Sequence, residues 1–259
     1  MTPRLARIDV YPVKSLDGVA VSEARVQGGG GLARDREFRL VDAEGLSANG
    51  KRFGEKIIGV RSAFDFAYGR LTLWDDAGRA EGRLPGEEDA LAAWMSERLG
   101  AEVHWERDAA KGFPDDEEAS GPTVISTATL RTVGEWFGLS EEESRRRFRT
   151  NLEIGGVEAF WEDRLYGADG EMWRFRIGDV ELEAVNPCAR CVVPSRDSRT
   201  GEIFEKKFAK VLGEKRQSTL PEWAESSRFD HFVRLAVNTR VPVGENGKVL
   251  EVGDEVRVG

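Results

Sequence analysis

Short β-rich runs alternate with glycine turns through the first hundred residues, and this pattern most constrains what the chain can fold into. Leu5–Val10, Val19–Val26, Phe38–Val41, Phe64–Tyr68 and Leu71–Trp74 are brief, partly alternating and rich in β-branched and aromatic residues. That is the signature of half-buried strands. Gly28 to Gly31, Gly45, Gly50 and Gly78 punctuate them as turns. With 29 Gly against 9 Pro, tight turns rather than a disordered tail are expected. One helix is legible here: Leu91, Trp94, Met95 and Leu99 recur at helical spacing, and Gly100 ends it. A strand near Val103–Trp105 closes the section.

Residues 107–121 are polar and turn-rich, which predicts a long loop or domain boundary. Beyond it, Ile125–Leu130 reads as a strand end running into a helix that stops at Gly138. Ser140 and Glu143 have the spacing of a capping box for a second, short helix. Glu141 to Glu143 suit its positive end and Arg145 to Arg147 its negative end. Strands are predicted at Asn151–Ile154 and Trp173–Val185, then a helical stretch through Phe204, Phe208, Val211 and Leu212. The tail, Lys248–Val258, reads as a hairpin about a Gly-Asp turn. The fold class expected is β-rich α+β and barrel-like, with a few helices.

Charge excludes some functions. A net charge of −9 argues against nucleic acid as the main partner, because a phosphate backbone needs a basic face. No apolar run approaches the roughly 18 residues that span a bilayer, and Met1–Ile8 lacks the apolar segment of a secretory signal. A cytoplasmic protein with no membrane partner is expected. Two Cys and two His (His104, His231) are too few for an iron–sulfur cluster or a four-ligand zinc site, and no disulfide framework is available.

The two cysteines form a C-x-x-C segment, Cys188-Ala-Arg-Cys191, after a long β-rich stretch. A redox dithiol would sit at a helix N-terminus in a βαβ unit, and zinc would need two more ligands. A pair of inert buried thiols and a single thiolate ligand to a soft metal remain. Arg190 and Arg196 are near enough in sequence to supply a field that favours a thiolate. Three other segments carry basic residues: Tyr11-Pro-Val-Lys14-Ser15, Arg34-Asp35-Arg36, and Arg145 to Arg149 running into Thr150-Asn151. Each alone also reads as a solvated strand end or a helix-dipole partner. A phosphate-bearing ligand would need such a Lys/Arg/Ser set converging in space.

Taken in order, these segments resemble the MOSC superfamily, in the branch with an N-terminal β-barrel region ahead of the MOSC domain. Ile177-Gly-Asp-Val-Glu-Leu182, Asp197 and Thr200-Gly201 complete the series. The resemblance runs from about Leu5 to Val258 and implies a β-barrel-like domain over 1–110 and a MOSC β-barrel domain over 118–259. It implies a molybdenum cofactor (molybdenum bound to molybdopterin), with Cys191 as catalytic residue and metal ligand and Cys188 as a neighbour. Lys14, Ser15, Arg36 and Arg149 would hold the pterin and its phosphate, with Asn151 beside them. The similar amidoxime-reducing components imply a reductase of N-hydroxylated or N-oxide small molecules. This chain lacks the C-terminal iron–sulfur domain of some bacterial relatives, so its electrons are expected from a separate flavin, haem or iron–sulfur protein. The alternatives are a non-catalytic carrier of the cofactor or of persulfide sulfur, and a member without metal. No aminotransferase-like domain precedes the MOSC part, which weakens a sulfurase reading.

Overall fold

A computed structural model describes residues 2–259. In chain order the elements begin with β1 (Arg4–Val10), β2 (Val19–Val21), β3 (Glu23–Arg25), β4 (Phe38–Asp42), α1 (Glu55–Ile58), β5 (Arg61–Asp65), β6 (Arg70–Asp75) and β7 (Gly78–Arg83). They continue with α2 (Glu88–Leu99), β8 (Val103–Arg107), β9 (Val124–Ser126), α3 (Thr127–Phe137), α4 (Glu141–Phe148) and β10 (Leu152–Gly155). The last are β11 (Trp173–Ile177), β12 (Val180–Ala189), α5 (Phe208–Ser218), β13 (Arg234–Arg240), β14 (Val249–Glu251) and β15 (Val256–Val258). The chain is strand-rich with a few helices, as the β-rich α+β reading holds. Among the described residues no helix is long and apolar enough to cross a membrane.

The main sheet has eight strands in the order β15-β11-β12-β13-β9-β10-β1-β2. The first strand of the chain therefore lies in the same sheet as the last, paired antiparallel with β10. The sheet curls, because the turn before β15 reaches β1: Leu5 N–H donates to Asp254 O at 2.8 Å and Gly253 N–H to Leu5 O at 2.7 Å. It does not close into a barrel. The intervening residues form a β4-β8 pair and a β5-β6-β7 meander, with α2 between β7 and β8 in sequence; these sheets are not closed either. The barrel-like closure expected from the pattern is thus replaced by curled, open sheets.

Two details differ from expectation. The tail is not a hairpin: β14 pairs with β3 and β15 with β11. Both neighbours offer free edges, and Gly253-Asp254 is engaged with Leu5 instead of closing a ladder. The capping box is half made. Ser140 Oγ accepts from Glu143 N–H at 3.1 Å, but the Glu143 carboxylate turns away to Ser198 and Arg147.

Apolar burial forms three clusters. One lies on the main sheet around Leu5, Ile8, Leu152, Phe175, Leu182 and Val237. A second, around Leu40, Leu71, Leu91 and Met95, serves the N-terminal sheets. A third fixes α3, α4 and α5 through Leu130, Phe148 and Leu212. Each such side chain contributes about 2 kcal/mol by leaving water. Val10 belongs to the first cluster, Val13 and Leu16 to the second. The segment 11–15 therefore crosses from one core to the other and is held at both ends.

Candidate functional site

At that crossing is a cleft of about 900 Å³. Cys191, Lys14, Ser15, Arg36, Arg149 and Asn151 all line it. They come from four separate stretches of chain, so their convergence is a property of the fold and not of sequence proximity.

The backbone at three of these positions is unusual. Among the described residues only six non-glycine residues have positive φ, and Ser15 (75°), Arg36 (52°) and Arg149 (50°) are three of them. Ser15 occupies the third position of a turn closed by Leu16 N–H to Val13 O at 3.2 Å, where glycine or asparagine is usual. Arg149 is the left-handed C-cap of α4, its N–H bonded to Arg145 O at 2.9 Å; glycine is usual there too. Side chains in this conformation carry a strain of about 1–2 kcal/mol each. Such strain persists where the surroundings fix the residue, and it clusters at functional sites.

The cations are arranged around Tyr11. The Arg149 guanidinium lies 4.3 Å and that of Arg36 5.3 Å from the Tyr11 ring centroid. Tyr11 Oη donates to Thr150 O at 3.2 Å, and burial raises its phenol beyond the usual range. Arg36 pairs with Asp35, whose Oδ1 also accepts from Tyr11 N–H at 2.8 Å and from Asn151 Nδ2 at 3.1 Å. Asn151, 2% exposed, has its polar atoms engaged by protein: Nδ2 also donates to Asp9 O at 3.0 Å, and Oδ1 accepts from Thr123 N–H at 3.2 Å. Asn151 thus holds the cradle together. Arg149 differs from its neighbours in making no ion pair among the described residues. Burial first, and then the Arg36 charge, lower its pKa from the ordinary guanidinium value. An unpaired cation in a confined place favours an anion beside it.

The other arginines of the run go elsewhere. Arg145 is paired with Glu141, Glu142 and the buried Glu153. Arg147 pairs with Glu143 at 2.6 Å and lies 4.4 Å from the Phe204 ring centroid. Both reach the cleft wall but arrive already neutralised.

The cysteines arrive on the end of β12. Its register against β13 shifts between Ala184 and Asn186 and again between Pro187 and Ala189. Pro187 has no N–H to give the ladder, and such bulges re-aim the residues beyond them. Cys188 and Cys191 are free thiols, Cys191 exposed and both lining the cleft. Arg190 fastens the turn: Nε donates to Leu235 O at 2.8 Å and Nη1 to Phe148 O at 3.0 Å. Its Nη2 is buried without a partner, although Arg190 lines the cleft. Arg196 Nε, on the same wall, is likewise unpartnered. Past the cysteines, Gly201 (φ 74°) packs on α1, where an added Cβ would fall 2.4 Å from Glu55 Cα. That contact ties the cysteine segment to the N-terminal half. Neither histidine is among the residues that line the cleft. Among the described residues no group of three or more His, Cys, Asp or Glu is arranged to hold a metal.

Sequence alone assigned no role to Tyr11 or Asp35, although both stand inside the quoted motifs, and it read Arg190 as a cation near the thiols, not as the residue that fastens their turn. An organising ring and an organising carboxylate have no spacing of their own.

Comparison with known proteins settles the family. A family model described as the MOSC domain matches residues 120–257. This chain belongs to the MOSC family. A second model, the MOSC N-terminal beta barrel domain, matches residues 2–102 of the MOSC protein. It is 27% identical to the human mitochondrial amidoxime-reducing component 1, over 97% of this chain and 82% of the human one. The zebrafish mitochondrial amidoxime-reducing component 1 is 26% identical, over 78% of this chain and 71% of its own. The molybdenum cofactor sulfurase of Drosophila mojavensis is 26% identical over 78% of this chain, and the MOSC protein spans 29% of its length. By their names, the sulfurase acts on a molybdenum cofactor and the other two relatives take part in reducing amidoximes.

Proposed function

We propose that the cleft holds a pterin molybdenum cofactor and that the protein reduces small N-hydroxylated or N-oxide compounds. The chain is read as two units, 1–110 and 118–259, with the cleft where they meet. The observation that carries this is the convergence of Lys14, Ser15, Arg36 and the unpaired Arg149 on one cleft with the exposed Cys191. The residues fit such a group. Unpaired Arg149 and the orphaned Arg190 Nη2 suit an anionic ligand, and a lone accessible thiol suits a soft metal whose remaining ligands are not protein.

When bound, the group would supply two electrons, which together with two protons would cleave an N–O bond and release its oxygen as water. The chain's own part is to bind and orient. Arg36 and Arg149 would neutralise the phosphate, Tyr11 keeps both guanidinium planes in place, and Asp35 with Asn151 fixes Arg36. Arg190 would hold the Cys191 backbone through Leu235 O and Phe148 O, so that the thiolate meets the metal from a set direction. The open side of the cleft admits a small substrate. Electrons would come from a separate flavin, haem or iron–sulfur protein.

The test is benzamidoxime reduction by cofactor-loaded protein with a chemical electron donor. Turnover that disappears in Cys191→Ser is expected. The exposure of Cys191 also suits a carrier that presents cofactor or persulfide sulfur to another protein. Bound molybdenum with no turnover of any N-hydroxylated substrate would decide for that second reading.

A further inference from the structure

The stretch between the two matched domains, Phe113-Pro-Asp-Asp-Glu-Glu118, is the most acidic run beside the cleft. It does not point to solvent throughout. Phe113 N–H donates to Arg36 O at 2.9 Å, and the Phe113 ring lies 4.3 Å from the Arg39 guanidinium. Gly112 (φ 67°) passes so close to the Arg36 turn that an added Cβ would sit 2.7 Å from Asp35 O. At the far end Ser120 Oγ donates to Gly29 O at 3.1 Å, and the Arg240 guanidinium donates to Glu118 O. The strap is therefore pinned on both sides, and its middle lies along the cleft.

That middle engages the cradle. Lys14 Nζ donates to Phe113 O and Pro114 O, both at 3.1 Å, and pairs with Asp115 Oδ1 at 2.9 Å. The cleft walls by themselves would raise the Asp115 carboxyl. The charges of Arg36, Lys14 and Arg149 outweigh them and hold it at about 2. These are the same three cations assigned above to the cofactor phosphate. Lys14 is mostly buried, at 14% exposed, whereas the Asp115 side chain is 77% exposed. The carboxylate is therefore free to swing away, while the cation stays.

We propose that Asp115 is an internal counter-anion that occupies the cofactor's phosphate position and leaves it when a phosphate binds. The proposal rests on reading the cleft as a cofactor site. A cluster of cations around a buried ring repels itself when no anion is present. An Asp on a pinned strap pairs with Lys14 before loading, within the field of Arg36 and Arg149, then yields to a ligand of higher charge. The strap sets a threshold: a dianionic phosphate displaces one carboxylate, whereas a singly charged ligand gains little over it. After displacement Asp115 stays on the rim, where its charge opposes the entry of further anions. The contact is screened by water at the cleft mouth, so it is weak enough to be exchanged.

The experiment uses full-length protein made in a host that lacks the cofactor, with inorganic phosphate as the probe and calorimetric titration as the readout. Asp115→Asn should bind phosphate several-fold to about tenfold more tightly than the parent, with the gain shrinking as salt rises. Glu117→Gln, which removes a charge from the same strap away from Lys14, should stay within about twofold of the parent. In a Lys14→Ala background the Asp115→Asn gain should fall sharply, since its main partner is gone. Melting without phosphate checks that each variant is folded. Phosphate binding by Asp115→Asn that equals or falls below the parent's overturns the proposal, and so does an equal gain from Glu117→Gln. Pterin content after expression in a cofactor-making host separates the two claims. Pterin in the parent with no Asp115→Asn effect sinks the counter-anion alone. An Asp115→Asn gain with no pterin in any form keeps an anion gate and sinks the cofactor reading.

Discussion

Asn151→Ala should unfold the cradle before it empties it. Asn151 joins three stretches of chain: Asp9 in β1, the Asp35-Arg36 turn, and Thr123 ahead of β9. Truncation removes two donated hydrogen bonds and two accepted from Thr123, with the Arg36 contact at 3.5 Å a marginal fifth. Asp35 keeps Tyr11 N–H and Arg36, but Thr123 N–H loses its acceptor. One orphaned group costs about 1–3 kcal/mol. With the cavity left by the amide, the expected loss is about 3 kcal/mol. In a chain of this size that lowers the melting temperature by about 6–12 °C. Asn151→Asp should be no milder, because its carboxylate would face Asp35 and the Asp9 carbonyl. Calorimetric or fluorescence melting of parent and both variants measures this. A shift below about 2 °C for Asn151→Ala, or clear tolerance of Asp, would show that the amide does not hold the cradle.

Three further outcomes are expected from the same geometry. Arg149→Ala should lose most bound pterin while melting near the parent, since Arg149 makes no ion pair; loss of stability without loss of pterin would contradict this. Arg145→Ala should do the reverse, keeping pterin and losing about 3 kcal/mol or more because Glu153, 1% exposed, is left without its cation; pterin loss comparable to Arg149→Ala would overturn it. Burial and the neighbouring Asp163 charge raise the Glu162 carboxyl, and burial raises that of Asp163. The folded chain then holds a proton that the unfolded chain has already released, so stability falls as pH rises above the ordinary carboxyl range of about 4.3. Melting from pH 5 to pH 8 should show this decline, and Glu162→Gln should flatten it; an unchanged slope would count against the assignment.

Local chemistry was legible in the chain, and long-range pairing was not. Gly100 and Gly138 end α2 and α3 as read, because a helix stop depends on a few adjacent residues. Ser140 caps α4 for the same reason. Glu143 did not complete the box, because Ser198, a neighbour only in space, and Arg147, one turn further along α4, offered it better partners. The tail shows the same limit. Val249–Glu251 and Val256–Val258 have strand propensity, yet their partners were decided by the free edges of β3 and β11. β13 passed unread because its ordinary apolar run sits between charged stretches, although it lies at the centre of the main sheet. The six proposed site residues could be named only through a motif series. What the motifs do not contain is Asp115, whose contact with Lys14 depends on a loop folding back over a residue about a hundred positions away in sequence. The arginine run shows this too: Arg145 meets Glu153, Arg147 meets Glu143 and Arg149 meets no carboxylate among the described residues, and only their placement in the fold distinguishes them.

Molybdenum and pterin counted per chain in protein from a cofactor-making host, for the parent and for Cys191→Ser, decide whether the cleft is a cofactor site with Cys191 as the metal ligand. The parent should carry stoichiometric molybdenum and pterin. Cys191→Ser should lose or loosen the metal while pterin stays on Lys14, Ser15, Arg36 and Arg149. A parent with neither metal nor pterin, or a Cys191→Ser protein that keeps its molybdenum as firmly as the parent, would contradict that reading.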